Sequence, residues 1–375
     1  GGFRTQTRTW TDTDGDFVVD CDLSPTAITA QTAADQCGPV TGAGLSFGGN
    51  TSTRRVNPEV LSGWGIRPYD WVFGASIQQE LIPRLSVEFA YNRRTWGNFF
   101  VDDNLNLGTG DYDVITMNAP LYPDLPNGGG YPISFRVPRV SAATRNYYTF
   151  ASDYGNQTAL YDSFQATARA RTRWGLTLQG GTTTGRGIRD NCEIEAKLPE
   201  LNAAGRTENC QVTEDWLTSL NGLFSYNIPK VDVLISAIMR SQPGTGAGTI
   251  VGSGGGSLAA NYNVTNLQVF NATGRNLVAC AAGTAPAACT STQSVNLLLS
   301  GQLYQKRLNS FDMRFAKILK FAGKRADVGI DLYNIINANT QTGYNQTFGN
   351  DGTGLFRPTS IQNARFARFN VTFDF

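Results

Sequence analysis

Along this chain, apolar side chains return at every second position in paired runs, and the runs are joined alternately by very short and very long connections. Period two is the signature of a β-strand with two unlike faces, because successive side chains leave a pleated backbone on opposite sides. The clearest pair begins at Trp71. Trp71, Phe73, Ala75 and Ile77 alternate with Val72, Gly74, Ser76 and Gln78. Glu80-Leu81-Ile82-Pro83-Arg84 interrupts, and then Leu85, Val87, Phe89 and Tyr91 alternate with Ser86, Glu88, Ala90 and Asn92. This predicts a hairpin with one apolar and one polar face.

The unit recurs. Leu160, Phe164, Ala166 and Ala168 lead through a turn near Arg171-Thr172-Arg173 to Leu176, Leu178 and Gly180. Leu220, Gly222, Phe224 and Tyr226 lead through Ile228-Pro229-Lys230 to Val231, Val233, Ile235, Ala237 and Met239. Phe311, Met313 and Phe315 lead through Phe321-Ala322-Gly323-Lys324 to Ala326, Val328, Ile330 and Leu332. A final run carries Phe369, Val371, Phe373 and Phe375, and a weaker opening run covers Phe3 to Trp10. The long connections fall at 11–66, 96–157, 186–215, 243–306 and 336–362.

Loops of that length are uncommon in compact domains, whereas transmembrane β-barrels join short turns at one end to long loops at the other. About ten strands of membrane-crossing length are expected. Trp10, Trp71, Trp96 and Trp216 lie where strands meet long loops, and Trp174 beside a short turn, the positions of interfacial girdles. Gln78, Glu88, Asn92, Asp162, Asp232, Arg240, Asp327 and Asp331 are expected on the polar face, lining a wet lumen. The fold class expected is therefore all-β, a transmembrane antiparallel up-and-down barrel. A soluble β-sandwich, in which the polar face is plain surface, is the rival.

Composition narrows the function. Histidine is absent, which excludes Ser-His-Asp, Cys-His and His-ligated metal sites. Asp102-Asp103 point to opposite faces in a strand and find no partner, so no enzyme is expected. The 31 basic and 30 acidic residues leave no electrostatic footprint for nucleic acid. No apolar run reaches the roughly 18 residues of a transmembrane helix. The glycine-rich stretch 243–257 lacks the lysine and the strand-to-helix context of a phosphate loop. The opening Gly1-Gly2-Phe3 shows no signal peptide, as expected after its removal or for an internal piece of a longer polypeptide.

Six cysteines fall as close pairs in loops: Cys21 with Cys37, Cys192 with Cys210, and Cys280 with Cys289. The clustering favours three local disulfides over free thiols, and hence an oxidising compartment. Asp12, Asp14, Asp16 and Asp20 stand at positions 1, 3, 5 and 9 of a calcium-loop-like pattern, and alternating aspartates supply the hard oxygens calcium takes. Phe17 stands where an EF-hand has glycine, and no glutamate stands at position 12. The rival reading of this run is a solvated acidic loop. Loop aromatics such as Phe99, Phe100, Tyr122, Tyr131 and Tyr344 are ligand-contact candidates by location, with loop packing as the alternative.

Three stretches carry a family resemblance: GWGIRPYDW (63–71) continuing as FGASIQQELIPRLSVEFAYNRRTWGNFFVDDN (73–104), DLYNIINANT (331–340), and the tail ARFARFNVTFDF (364–375). With WTDTDGDFVVDCDL (10–23) and the loop cysteines, they resemble the C-terminal barrel of Oar-like TonB-dependent outer-membrane receptors, over nearly the whole chain. The resemblance implies the outer membrane of a Gram-negative bacterium, lipid contact, ligand capture by extracellular loops, and uptake energised by the TonB complex through a plug. The tail, with Phe369, Val371, Phe373 and Phe375, resembles the signal read by the outer-membrane assembly machinery. Such receptors have 22 strands and carry a plug and a TonB-contact motif; neither the plug nor the motif is in this sequence, so the resemblance implies that it is the C-terminal part of a longer receptor. The alternative is a self-contained small barrel acting as porin, adhesin or structural surface protein.

Overall fold

The computed structural model describes residues 8–20, 31–32, 35–38, 54–142, 144–202, 205–244, 246–247, 258–321, 323–349 and 354–374. Two compact units divide the chain, 1–55 and 56–375. In the first, Trp10–Thr11 pairs antiparallel with Gln36–Cys37, which also pairs with Gln31–Thr32. Of the opening strand expected over Phe3 to Trp10, residues 3–7 lie outside the described residues. Trp10 belongs to this small sheet and not to the large one, because Thr9 and Trp10 give way at once to the Asp-rich turn.

The second unit is built on nine long strands among the described residues: β1 (Tyr69–Ile82), β2 (Leu85–Gly97), β3 (Thr158–Arg171), β4 (Leu176–Asp190), β5 (Leu217–Ile228), β6 (Val233–Gln242), β7 (Leu308–Phe321), β8 (Lys324–Tyr333) and β9 (Phe366–Asp374). Each pairs antiparallel with its neighbour in sequence, so the sheet is an up-and-down meander from β1 to β9. No helix among the described residues is long and apolar enough to cross a membrane.

Short turns lie at one end. Between β1 and β2, Pro83 presets its φ and Arg84 takes a positive φ of 77°, while its N–H donates to the Glu80 carboxylate at 2.7 Å. Between β3 and β4, Thr172 Oγ1 accepts from Leu176 N–H and Gly175 supplies φ 86°. Asp232 sits in the turn before β6 with φ 50°, accepting from Lys320 at 3.2 Å. It is therefore not a strand-face residue, contrary to the alternation reading.

The register brings the alternating apolar sets onto one surface. The row Ala75, Tyr91, Phe164 and Thr184 runs across β1 to β4, and Leu178, Phe224, Ala237, Met313 and Leu332 run across β4 to β8. Phe315, Ile330 and Phe369 continue it to β9. This surface is open: Phe73 is 61%, Phe164 54% and Phe369 82% exposed. The opposite face carries Gln78, Glu88, Asn92, Arg240, Asp327 and Asp331, with Leu223 and Ile238 paired among them. Asp162 is the exception. Even-numbered in β3, it shares the apolar face with Leu160 and Phe164, where it accepts from the Tyr91 hydroxyl at 2.7 Å.

The buried apolar core lies elsewhere. Ile115, Leu125, Ile133, Phe135, Val137, Leu258, Val264, Val269, Val295, Leu297, Leu298, Phe348 and Leu355 form one cluster, and all belong to the connections 98–157, 243–307 and 334–365. The described residues of these three connections thus form a folded cap rather than unstructured loops.

Candidate functional site

The cap stands at the end of the sheet opposite the short turns, because β2, β4, β6 and β8 all end there. Its frame is a hairpin of Tyr112–Asn118 with Pro132–Pro138, whose Ile133, Phe135 and Val137 point inward at every second position. The pair Asn261–Thr265 with Thr292–Asn296 faces it. Between these two strands runs α1 (Asn266–Thr273), started by a Thr265/Gln268 capping box and stopped by Gly274 at φ 73°.

Polar ties join the connections into one body. Arg206, buried in the connection 191–216, donates to Leu297 C=O at 3.4 Å, Pro132 C=O at 3.3 Å and Glu208 at 3.1 Å, with its guanidinium 5.6 Å from the Tyr131 ring. The Tyr131 hydroxyl donates to Leu297 C=O at 3.0 Å, and that of Tyr122 to Leu355 C=O at 3.2 Å. Arg275 donates to Asp113 at 2.7 Å. Disulfides close Cys192–Cys210 and Cys280–Cys289, with Cys280 packed against the apolar cluster. Cys37 is also disulfide-bonded; Cys21 lies outside the described residues.

The loop aromatics serve packing. Phe99 packs against Val101, Ala151, Ile194 and Leu198; Phe100 meets the Tyr148 and Phe150 rings at a tilt, 5.1 and 5.4 Å away. Tyr122 meets Phe348 edge-on, and the Tyr344 hydroxyl donates to Gln341 C=O. None of the five is a fully exposed ring, so packing accounts for each of them.

A second cluster lines the cap's base. The Tyr154 hydroxyl donates to Asp103 at 2.6 Å, and Asn104 N–H donates to Glu200 at 3.1 Å, leaving Glu200 Oε2 buried without a partner. Burial pushes the Glu200 carboxyl above its usual range; nearby N–H groups oppose this and the Asp103 carboxylate adds to it. Burial and the same Asp103 push the Tyr154 hydroxyl far up. A carboxyl raised in the folded state contributes stability that is full below its unfolded pKa and lost as pH rises through the folded one. Glu200→Gln is therefore expected to make the cap more protease-resistant at neutral pH and to flatten its loss between mildly acidic and neutral pH, read by limited proteolysis across that range.

On the polar strand face, Asp331 is buried and accepts from Arg368 and Asn370 at 2.9 Å each, with Arg314 at 3.5 Å. Arg325 and Asp327 form a bidentate pair at 2.7 and 2.8 Å. These pairs satisfy charge across β7 to β9 and hold the face in register.

The acidic loop lies in the first unit. Asp12 accepts from Gly15 N–H at 2.7 Å and Phe17 N–H at 3.2 Å, curling the chain around its carboxylate. Phe17 takes φ 59°, the left-handed conformation that glycine supplies at this position in calcium loops. Carboxylate oxygens of Asp14, Asp16 and Asp20 lie within 4.8 Å of one another, and so do those of Asp12, Asp14 and Asp35. Asp35 is a member that no local spacing signals. It is buried and accepts from Thr13 N–H at 2.9 Å and Asp20 N–H at 3.1 Å. The Asp16 N–H lowers the Asp14 pKa, but desolvation and the Asp16, Asp35 and Asp12 carboxylates outweigh it and raise the group.

No protein-family model and no curated protein matches the chain. Among solved structures it is similar to the outer membrane transporter YddB from Escherichia coli, with a TM-score of 0.40 and 9% identity over 82% of this chain and 33% of that one. This chain spans about a third of that protein's length.

Proposed function

We propose that this chain is part of an outer-membrane transport barrel whose loop cap captures a ligand. The supporting observation is the inversion of burial. The apolar residues of nine paired strands are collected by register on an exposed face, while the buried core sits in the loops. Water does not favour such a face, and a bilayer does. The opposite face, carrying Gln78, Glu88, Asn92 and Asp331, lines the lumen. Phe369, Val371 and Phe373 on β9 present the alternating apolar tail to the assembly machinery; Phe375 lies outside the described residues.

Strand parity extends the reading. With nine antiparallel strands, β1 and β9 run in the same direction, and neither has a further neighbour among the described residues. Antiparallel closure therefore takes an odd number of additional strands. One more strand would close a small barrel and thirteen a 22-stranded one, so parity fits both readings; the resemblance of the quoted stretches supports the Oar-like receptor, with its plug and TonB contact on the rest of a longer polypeptide, and a self-contained porin or adhesin is the alternative. The test is the intact mass of the native polypeptide from detergent-extracted outer membranes. A chain far heavier than 40.6 kDa is expected; a mass equal to it would replace the receptor by the small barrel.

For the acidic loop we propose calcium, held by Asp12, Asp14, Asp16 and Asp20 with Asp35 bracing the turn. Millimolar calcium is expected to raise the unfolding temperature of the protein, and Asp14→Asn to abolish the rise. A flat calorimetric titration would leave a solvated loop.

A further inference from the structure

On the apolar strand face, one groove of about 500 Å³ crosses β1 to β4, floored by Ala75 and Ala166 and walled by Ile77, Phe89, Tyr91 and Phe164. The next cross-strand row toward the cap is Phe73, Arg93, Asp162 and Arg186. Register alone thus stacks a charged row on the end of an apolar groove. Two guanidinium groups face one carboxylate there. Asp162 takes the Tyr91 hydroxyl at 2.7 Å and Arg93 at 3.8 Å. Arg186 lies over the Trp216 ring at 4.8 Å, and its Nε is buried with no hydrogen-bond partner. Tyr91, Phe164 and Trp216 form a ladder of rings, 5.2 and 5.6 Å apart, along the boundary between groove and charge.

We propose that this surface binds one anionic lipid, with an acyl chain in the groove and its phosphate on Arg93 and Arg186. The proposal rests on the bilayer reading above. An excess cation at the edge of an apolar band is costly in lipid unless an anion meets it. Guanidinium forks suit phosphate oxygens, and the Tyr91–Trp216 ladder marks headgroup depth. A free phosphate would use the arginines and leave the groove empty; a lipid uses both.

The test inserts the purified protein into vesicles of equal phosphatidylcholine and phosphatidylglycerol, extracts it in mild detergent and weighs the retained lipid by native mass spectrometry. Retention of phosphatidylglycerol over phosphatidylcholine by about tenfold is expected. Arg93→Gln with Arg186→Gln should abolish the preference, and Ala166→Phe, which fills the groove and keeps both arginines, should reduce it. Added inorganic phosphate should not displace the lipid. Insertion without any preference, or displacement by phosphate, would overturn the lipid site and leave the bilayer reading standing. Failure to insert at all would instead remove the bilayer reading.

Discussion

Replacing Ala166 with arginine is expected to cost about 2–4 kcal/mol of folding stability in a bilayer, while the same change at its neighbour Gln165 costs less than about 1. The two residues are adjacent in the middle of β3 and point to opposite faces. Ala166 pairs across to Phe89 and Thr182 on the apolar face, and Gln165 to Ala90 and Thr183 on the polar one. In lipid, a guanidinium at the level of Ala166 meets hydrocarbon, whereas at Gln165 it meets lumen water. In a water-soluble sandwich with its apolar face uncovered, both arginines would be solvated and the difference would vanish. Urea unfolding of vesicle-inserted protein, followed by its mobility on unheated gels, measures both costs. Equal costs would refute the assignment of faces.

How much of this was legible in the sequence depends on which contacts set each part. The nine strands and four tight turns are local: alternation, Pro83, Gly175 and Gly323 mark them within a few residues. The face assignment follows from the same alternation, and it fails where residue parity puts a carboxylate on the apolar face (Asp162) or where a turn runs two residues further than the pattern suggests (Asp232). The cap was not legible. Its core joins Phe135 to Leu298 and Leu355, residues far apart in sequence, and the strands that hold it are only four to seven residues long. A run such as Pro132–Pro138 reads as loop until something is known to cover Ile133, Phe135 and Val137. Asp35 escaped for the same reason. Four aspartates at alternating positions announce themselves, whereas a fifth reaches the cluster only by the pairing of Gln36–Cys37 with Trp10–Thr11.

That division makes the cap and the sheet separable in stability, and Phe135→Ala should show it. The ring is fully buried among residues of three different connections. Its removal is expected to cost about 3–5 kcal/mol through lost transfer energy and the cavity left behind. The loss falls on the cap alone, because the strands are held by their ladders and their surroundings rather than by this cluster. Limited proteolysis should therefore cut the variant within 98–157 and 243–307 at rates raised by two orders of magnitude or more, about what such a cost implies when cleavage follows opening. The strands should remain protected, and the gel mobility of the folded barrel unchanged. A cut between Cys280 and Cys289 would leave its two fragments joined until that disulfide is reduced. If instead the whole protein unfolded, sheet and cap would be one cooperative body, and the cap could not be studied apart from the sheet that carries it.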